Sequence, residues 1–157
     1  MAADPPPGPP SSLFLAHQDR LRACGAIGPV LDLACGRGRH SLAAARLGVD
    51  VLAVDRNPEA LTALAGAATA GDRIETRVVD LEAHAPPDLG ASRFGALLVF
   101  RYLHRPLAGW IESLLAPGGI LLYETFTTAQ RKLGWGPSRD AFLLEPGELP
   151  TLFPNLT

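Results

Sequence analysis

Along residues 30–99, short apolar runs alternate with alanine- and leucine-rich segments whose apolar positions recur with helical spacing. Strands buried on both faces read as continuous apolar runs, and parallel neighbours need helical crossovers, so this alternation predicts a doubly wound, mostly parallel α/β sheet. Strands are expected at 30–33, 49–54, 74–79, 94–100 and 120–123. A helix is expected over 13–23, with Ser11 or Ser12 as its cap, and another over 39–47, closed by Gly48. Asp55-Arg56-Asn57-Pro58-Glu59 opens a third: Asn57 suits the cap, Pro58 the first turn and Glu59 the positive end of the helix dipole. A helix over 110–115, a turn at Pro117-Gly118-Gly119 and a short helix around Glu148–Phe153 complete the pattern.

Size and charge narrow this picture. The 157 residues suit one domain, expected over 13–157 behind a proline-rich arm at 1–12. With 14 basic and 16 acidic side chains the net charge is -2, which argues against a broad nucleic-acid-binding face. Cys24 and Cys35 are too few for a disulfide framework or a zinc ribbon, and no metal site is expected. The arm has no basic region followed by an apolar stretch, and no run approaches the roughly 20 apolar residues of a membrane span, so a cytoplasmic protein is expected.

The chemistry gathers at strand ends. The first strand runs into Asp32-Leu33-Ala34-Cys35-Gly36-Arg37-Gly38, and bare glycines before a helix leave room for a ligand to approach the backbone. A dinucleotide fingerprint would want a third glycine where Ser41 stands, which weakens a pyrophosphate reading. Asp32 places an anion where a cationic amino group could be held. Asp55, ending the second strand, suits two ribose hydroxyls, and Asp80 with Leu81, ending the third, suits an adenine amino group and ring. Each acid has a plainer reading as a cap or a solvated loop residue; three in succession on one sheet edge favour a nucleoside with a cationic amino acid. A nicotinamide-dependent oxidoreductase also lacks support from a tyrosine–lysine pair, since Lys132 is the only lysine.

On Val30-Leu-Asp-Leu-Ala-Cys-Gly-Arg-Gly-Arg-His-Ser41 and Val51-Leu-Ala-Val-Asp55-Arg-Asn-Pro58, the chain resembles the class I (Rossmann-like) methyltransferases, in particular the bacterial tellurite-resistance type. Arg101-Tyr-Leu-His-Arg-Pro106, Leu115-Ala-Pro-Gly-Gly119, Tyr123-Glu-Thr-Phe126 and 142–149 resemble small bacterial methyltransferases. The resemblance implies S-adenosyl-L-methionine as cofactor, held by Asp32, Gly36, Gly38, Asp55, Asp80 and Leu81, with Ala34, Arg56 and Phe100 beside them. It implies methyl transfer to a small-molecule acceptor; a binding-only domain is the alternative. His104 is the candidate base, with capping or packing before the next helix as its plainer reading, and Tyr102 a wall of the same site; Arg101 and Arg105 around them either favour an anionic acceptor or simply meet solvent. Cys35 is expected to pack rather than react, and Glu124 to face either the cofactor or solvent. Two departures stand out. Gly95 occupies a position where the family often has aspartate, and the chain stops where a sixth strand is expected. The sheet should therefore lack its last two strands, leaving an edge that a homodimer could cover.

Overall fold

The computed structural model describes residues 7–90 and 93–157. Five parallel strands form one sheet in the order β3-β2-β1-β4-β5: β1 (Val30–Leu33), β2 (Val51–Asp55), β3 (Ile74–Val78), β4 (Phe94–Phe100) and β5 (Leu115–Glu124). The helices are α1 (Ser12–Ala16), α2 (Gln18–Cys24), α3 (Arg39–Arg46), α4 (Pro58–Ala67), α5 (Ala108–Leu114) and α6 (Leu149–Leu152). The expected doubly wound α/β architecture is thus present, and among the described residues the sheet has five strands.

Alternation along the strands divides the core. Val30, Val51, Ala96, Leu98, Ile120 and Leu122 face α1, α2 and α3 through Phe14, Leu21, Cys24 and Ala44. Leu31, Leu33, Val54, Leu97 and Val99 face the other way, onto Leu107, Ile111 of α5 and Phe153. Every residue of β1 and β4 is buried, as two-sided coverage requires. The edge strand β3 is only partly covered, and Val78 is 59% exposed. β5 forms the opposite edge, with a groove of about 900 Å³ beside it.

Local chemistry explains most element ends. The Ser11 hydroxyl accepts from the Phe14 amide, and the Asn57 side chain accepts from the amides of Glu59 and Ala60, with Pro58 opening α4. Two expectations need correction. The segment 13–23 is two helices, because the chain breaks at His17, whose backbone N–H donates to the Phe14 carbonyl. Pro117-Gly118-Gly119 is an irregularity inside β5: Leu115 pairs with Phe94 and Ile120 with Ala96, and the extra residues bulge out with Gly118 at φ 81°.

Gly95 owes its identity to packing. A Cβ there would lie 2.1 Å from the Cys24 carbonyl oxygen and 2.7 Å from that of Gly28, so α2 and the turn after it could not sit against β4.

Candidate functional site

β1 and β4 are neighbours whose connections lead to opposite halves of the sheet, so the chain parts at their carboxyl ends, where open α/β sheets bind ligands. Backbone strain concentrates there. Ala34 follows β1 at φ 52° and Arg101 follows β4 at φ 55°, the two non-glycine residues with positive φ among those described. Such conformations cost of order 1–3 kcal/mol and persist where surrounding structure imposes them.

The turn after β1 is tied to β2. The Cys35 amide donates to the Val54 carbonyl (3.0 Å) and the Gly36 amide to Asp55 Oδ2 (2.8 Å). Gly36 (φ 56°) faces open space, as expected of backbone a ligand approaches. Gly38 does not: at φ 81° its absent Cβ would lie 2.4 Å from Leu64 Cδ1, so this glycine lets α3 start against α4. Of the two glycines, Gly36 stands open and Gly38 is set against α4.

Two depressions meet at Ala34. The first, about 310 Å³, is lined by Asp32, Ala34, Gly36, Gly38, Arg39, His40, Phe100 and Arg101, with Pro7 and Gly8 at its rim. Asp32 is buried at its base and accepts a 2.6 Å hydrogen bond from the Ser41 hydroxyl. Burial pushes its carboxyl up to about 7, against the opposing effect of that hydrogen bond. A cationic group alongside would return it to the charged form. Ser41, which at the sequence level argued only against a third glycine, is therefore the partner that orients Asp32. His40 stacks on Phe100 at 3.7 Å, and its Nε2 accepts from the Ser11 amide (3.1 Å). Burial, then the charges of Arg39 and Arg101, lower it to about 4.

The second depression, about 40 Å³, is lined by Ala34, Asp55, Arg56, Val79, Asp80, Leu81, Glu82 and Tyr102. Asp55 Oδ1 accepts from the Asn57 amide (2.9 Å), and Asp80 Oδ1 from the Glu82 amide (2.9 Å), so both carboxylates are oriented by backbone and keep lone pairs to offer. Leu81 is buried beneath.

The structure thus gathers Asp32, Ala34, Gly36, Gly38 and Phe100 around one depression and Asp55, Arg56, Asp80, Leu81 and Tyr102 around the other. His104 itself lines neither, but its Nδ1 sits 3.2 Å from Oε1 of Glu82, which lines the second. Arg105 is corrected outright. It grips Glu148 through two hydrogen bonds of 2.5 and 2.9 Å and donates to the Leu143 carbonyl (2.7 Å), so it fastens the carboxyl-terminal segment and is not offered to a substrate. Arg39, directly after the glycine turn, and Val79 line the depressions as well, positions that spacing did not single out. Cys35 packs near Leu42, Ala53 and Leu64, and burial, with the Asp32 and Asp55 charges adding to it, raises its thiol far from reactivity.

A family model described as a methyltransferase domain matches residues 30–119, which holds β1 to β4, the glycine turn and both depressions. The chain belongs to the class I, S-adenosylmethionine-dependent methyltransferases. Among curated proteins it is similar to a ribosomal protein L11 methyltransferase of Xylella fastidiosa, 38% identical over 120 residues, 72% of this chain and 37% of that protein. This methyltransferase domain therefore spans little more than a third of that relative's length. Among solved structures it superposes on the CcbJ methyltransferase of Streptomyces caelestis with a TM-score of 0.64 at 27% identity, covering 82% of this chain and 55% of that one. The glycopeptide N-methyltransferase MtfA in complex with S-adenosyl-L-methionine gives a TM-score of 0.54 at 28% identity, covering 71% and 54%. No helix among the described residues is long and apolar enough to cross a membrane.

Proposed function

We propose that this domain binds S-adenosylmethionine across the two depressions and transfers its methyl group to a small anionic acceptor. The observation that carries the reading is the set of Asp32, Asp55 and Asp80, on the carboxyl side of three adjacent strands and on both sides of Ala34. Asp32 suits the methionyl ammonium, Asp55 the ribose hydroxyls, and Asp80 with Leu81 the adenine. The open space beside Gly36 admits the chain between them.

When bound, S-adenosylmethionine supplies an electrophilic methyl on a sulfonium, open to in-line displacement. The protein's task is then to align a nucleophile and exclude water. Arg37, Arg39 and Arg101 line the first depression, and among the described residues Arg39 and Arg101 form no salt bridge. S-adenosylmethionine itself carries a net positive charge, so two guanidinium groups beside it favour an acceptor that brings an anion, such as a carboxylate or an oxyanion. An acceptor that arrives deprotonated needs no base.

A protein acceptor is the second reading, favoured by the Xylella relative's name; the same arginines would repel a protonated lysine side chain. Calorimetry with S-adenosylmethionine, S-adenosylhomocysteine and NAD tests the cofactor, where binding of NAD alone would refute it. Release of S-adenosylhomocysteine in the presence of carboxylates, oxyanions, amines or ribosomal protein L11 tests the acceptor. Turnover confined to amines or L11 would refute the anionic class.

A further inference from the structure

The strained exit from β4 aims one side chain that the methyl-transfer chemistry leaves without a task. Two contacts hold the chain in the bend at Arg101: the Arg101 amide donates to the Glu124 carbonyl (2.8 Å), and the Tyr123 hydroxyl donates to the Tyr102 carbonyl (2.8 Å). Tyr102 is thereby held in the lining of the second depression, with Asp55, Asp80, Leu81 and Glu82. Its hydroxyl is buried and has no hydrogen-bond partner among the described residues. A buried hydroxyl left unpaired costs roughly 1–3 kcal/mol, so one on a ligand-facing wall calls for a partner that arrives with the ligand.

We propose that the Tyr102 hydroxyl donates a hydrogen bond to the adenosine moiety of the cofactor, at a ring nitrogen or sugar oxygen, making Tyr102 a cofactor-positioning residue rather than a catalytic one. The inference rests on the cofactor reading above. Chemical complementarity supports it: Asp55 and Asp80 can only accept, whereas adenine also presents ring nitrogens that need donors. Burial, reinforced by the charges of Glu82 and Asp80, raises the phenol well above its ordinary range, so it stays protonated and remains a donor. Its place in the adenosine depression separates it from Arg39 and Arg101, which line the other. The bend at Arg101 thus serves both ends of the ligand, sending a guanidinium to one depression and a phenol to the other.

The test is Tyr102→Phe in the full chain, titrated calorimetrically with S-adenosylhomocysteine and with methylthioadenosine, which lacks the amino-acid end. Losing one neutral hydrogen bond should weaken both ligands by the same factor, about 3- to 10-fold. The melting temperature without ligand should hold or rise, because an unpaired buried hydroxyl has been removed. A purely structural hydroxyl predicts the reverse, a lower melting temperature with unchanged affinities, and that result would overturn the proposal. So would weakened S-adenosylhomocysteine with unchanged methylthioadenosine. Failure of the unaltered protein to bind either ligand would instead refute the cofactor reading on which the proposal rests.

Discussion

On the β1–β3 side of the binding edge, each carboxylate has a partner close by in sequence, Asp80 the amide of Glu82, Asp55 that of Asn57 and Asp32 the hydroxyl of Ser41 nine positions on, and only Asp55 adds a distant one, the Gly36 amide 19 positions back. Across the edge, order comes from far along the chain. Arg105 reaches Glu148, 43 residues away, and the hydroxyl of Tyr123 fixes the carbonyl of Tyr102 over a separation of 21. Local bonds form wherever the turn forms, so this side is built largely within its own loops, which the Gly36–Asp55 and Cys35–Val54 bonds then tie together. The β4–β5 side depends on residues 126–148 folding back over the sheet, where Leu144 bridges to Thr127.

The largest effect should come from Asp55→Ala. It removes the acceptor for the Gly36 and Asn57 amides as well as the proposed ribose contact. At about 1.5–3 kcal/mol for a hydrogen bond to a charged group, S-adenosylhomocysteine should bind roughly 10- to 150-fold more weakly by calorimetry. An unchanged affinity would remove Asp55 from the site and break the asymmetry at its strongest point.

Next come Asp32 and His40, neighbours around the first depression whose protonation pulls stability in opposite directions. Asp32 titrates near 7 when folded and 3.8 otherwise, so the folded state holds its proton more tightly and stability falls as pH rises between those values. His40 titrates near 4 against 6.5, so its contribution is intact above 6.5 and is lost as pH falls toward 4. The two slopes offset each other over their shared window. In denaturant titrations, Asp32→Asn should lose stability as pH falls from 6.5 to 4, and His40→Gln should lose it as pH rises from 4 to 7. If both variants show the parent's profile, neither group titrates as assigned. Because a bound ammonium favours the Asp32 carboxylate, S-adenosylhomocysteine should also bind about 5- to 10-fold more tightly at pH 7.5 than at pH 6, a dependence that Asp32→Asn flattens.

Arg105→Ala sharpens the comparison from the other side. It cuts the tie to Glu148, whose carboxyl the Arg105 hydrogen bond holds down to about 2, and it frees the Leu143 carbonyl. The pair is partly exposed, so the loss should be about 1–2 kcal/mol in chemical unfolding, with cofactor affinity within twofold. A large fall in affinity would show that the two sides are one cooperative unit. The smallest effect is expected of His104→Ala, under threefold in turnover with a carboxylate acceptor, because the ring meets Glu82 and lines neither depression. A loss of a hundredfold or more would restore it as the base.

Strands β1 and β4, the Asn57–Pro58 start of α4 and the succession Asp32, Asp55, Asp80 were legible in the sequence because each is a local fact. An apolar run is buried wherever it pairs, a cap bonds to its own first turn, and an acid after a strand lands at that strand's end. Three features were not. Gly38 reads like Gly36 until Leu64 of α4 is found against it, and Gly95 reads as a missing aspartate until the Cys24 carbonyl is seen 2.1 Å from its absent side chain. Arg105 reads as a substrate-binding cation until Glu148 is found within its reach. Periodicity and turn chemistry therefore determined the fold class and the sheet edge at which the three acids gather. Only the tertiary structure decided which glycine stands open, which arginines line the first depression and where the Tyr102 hydroxyl stands, because each depends on what distant chain comes to lie beside it.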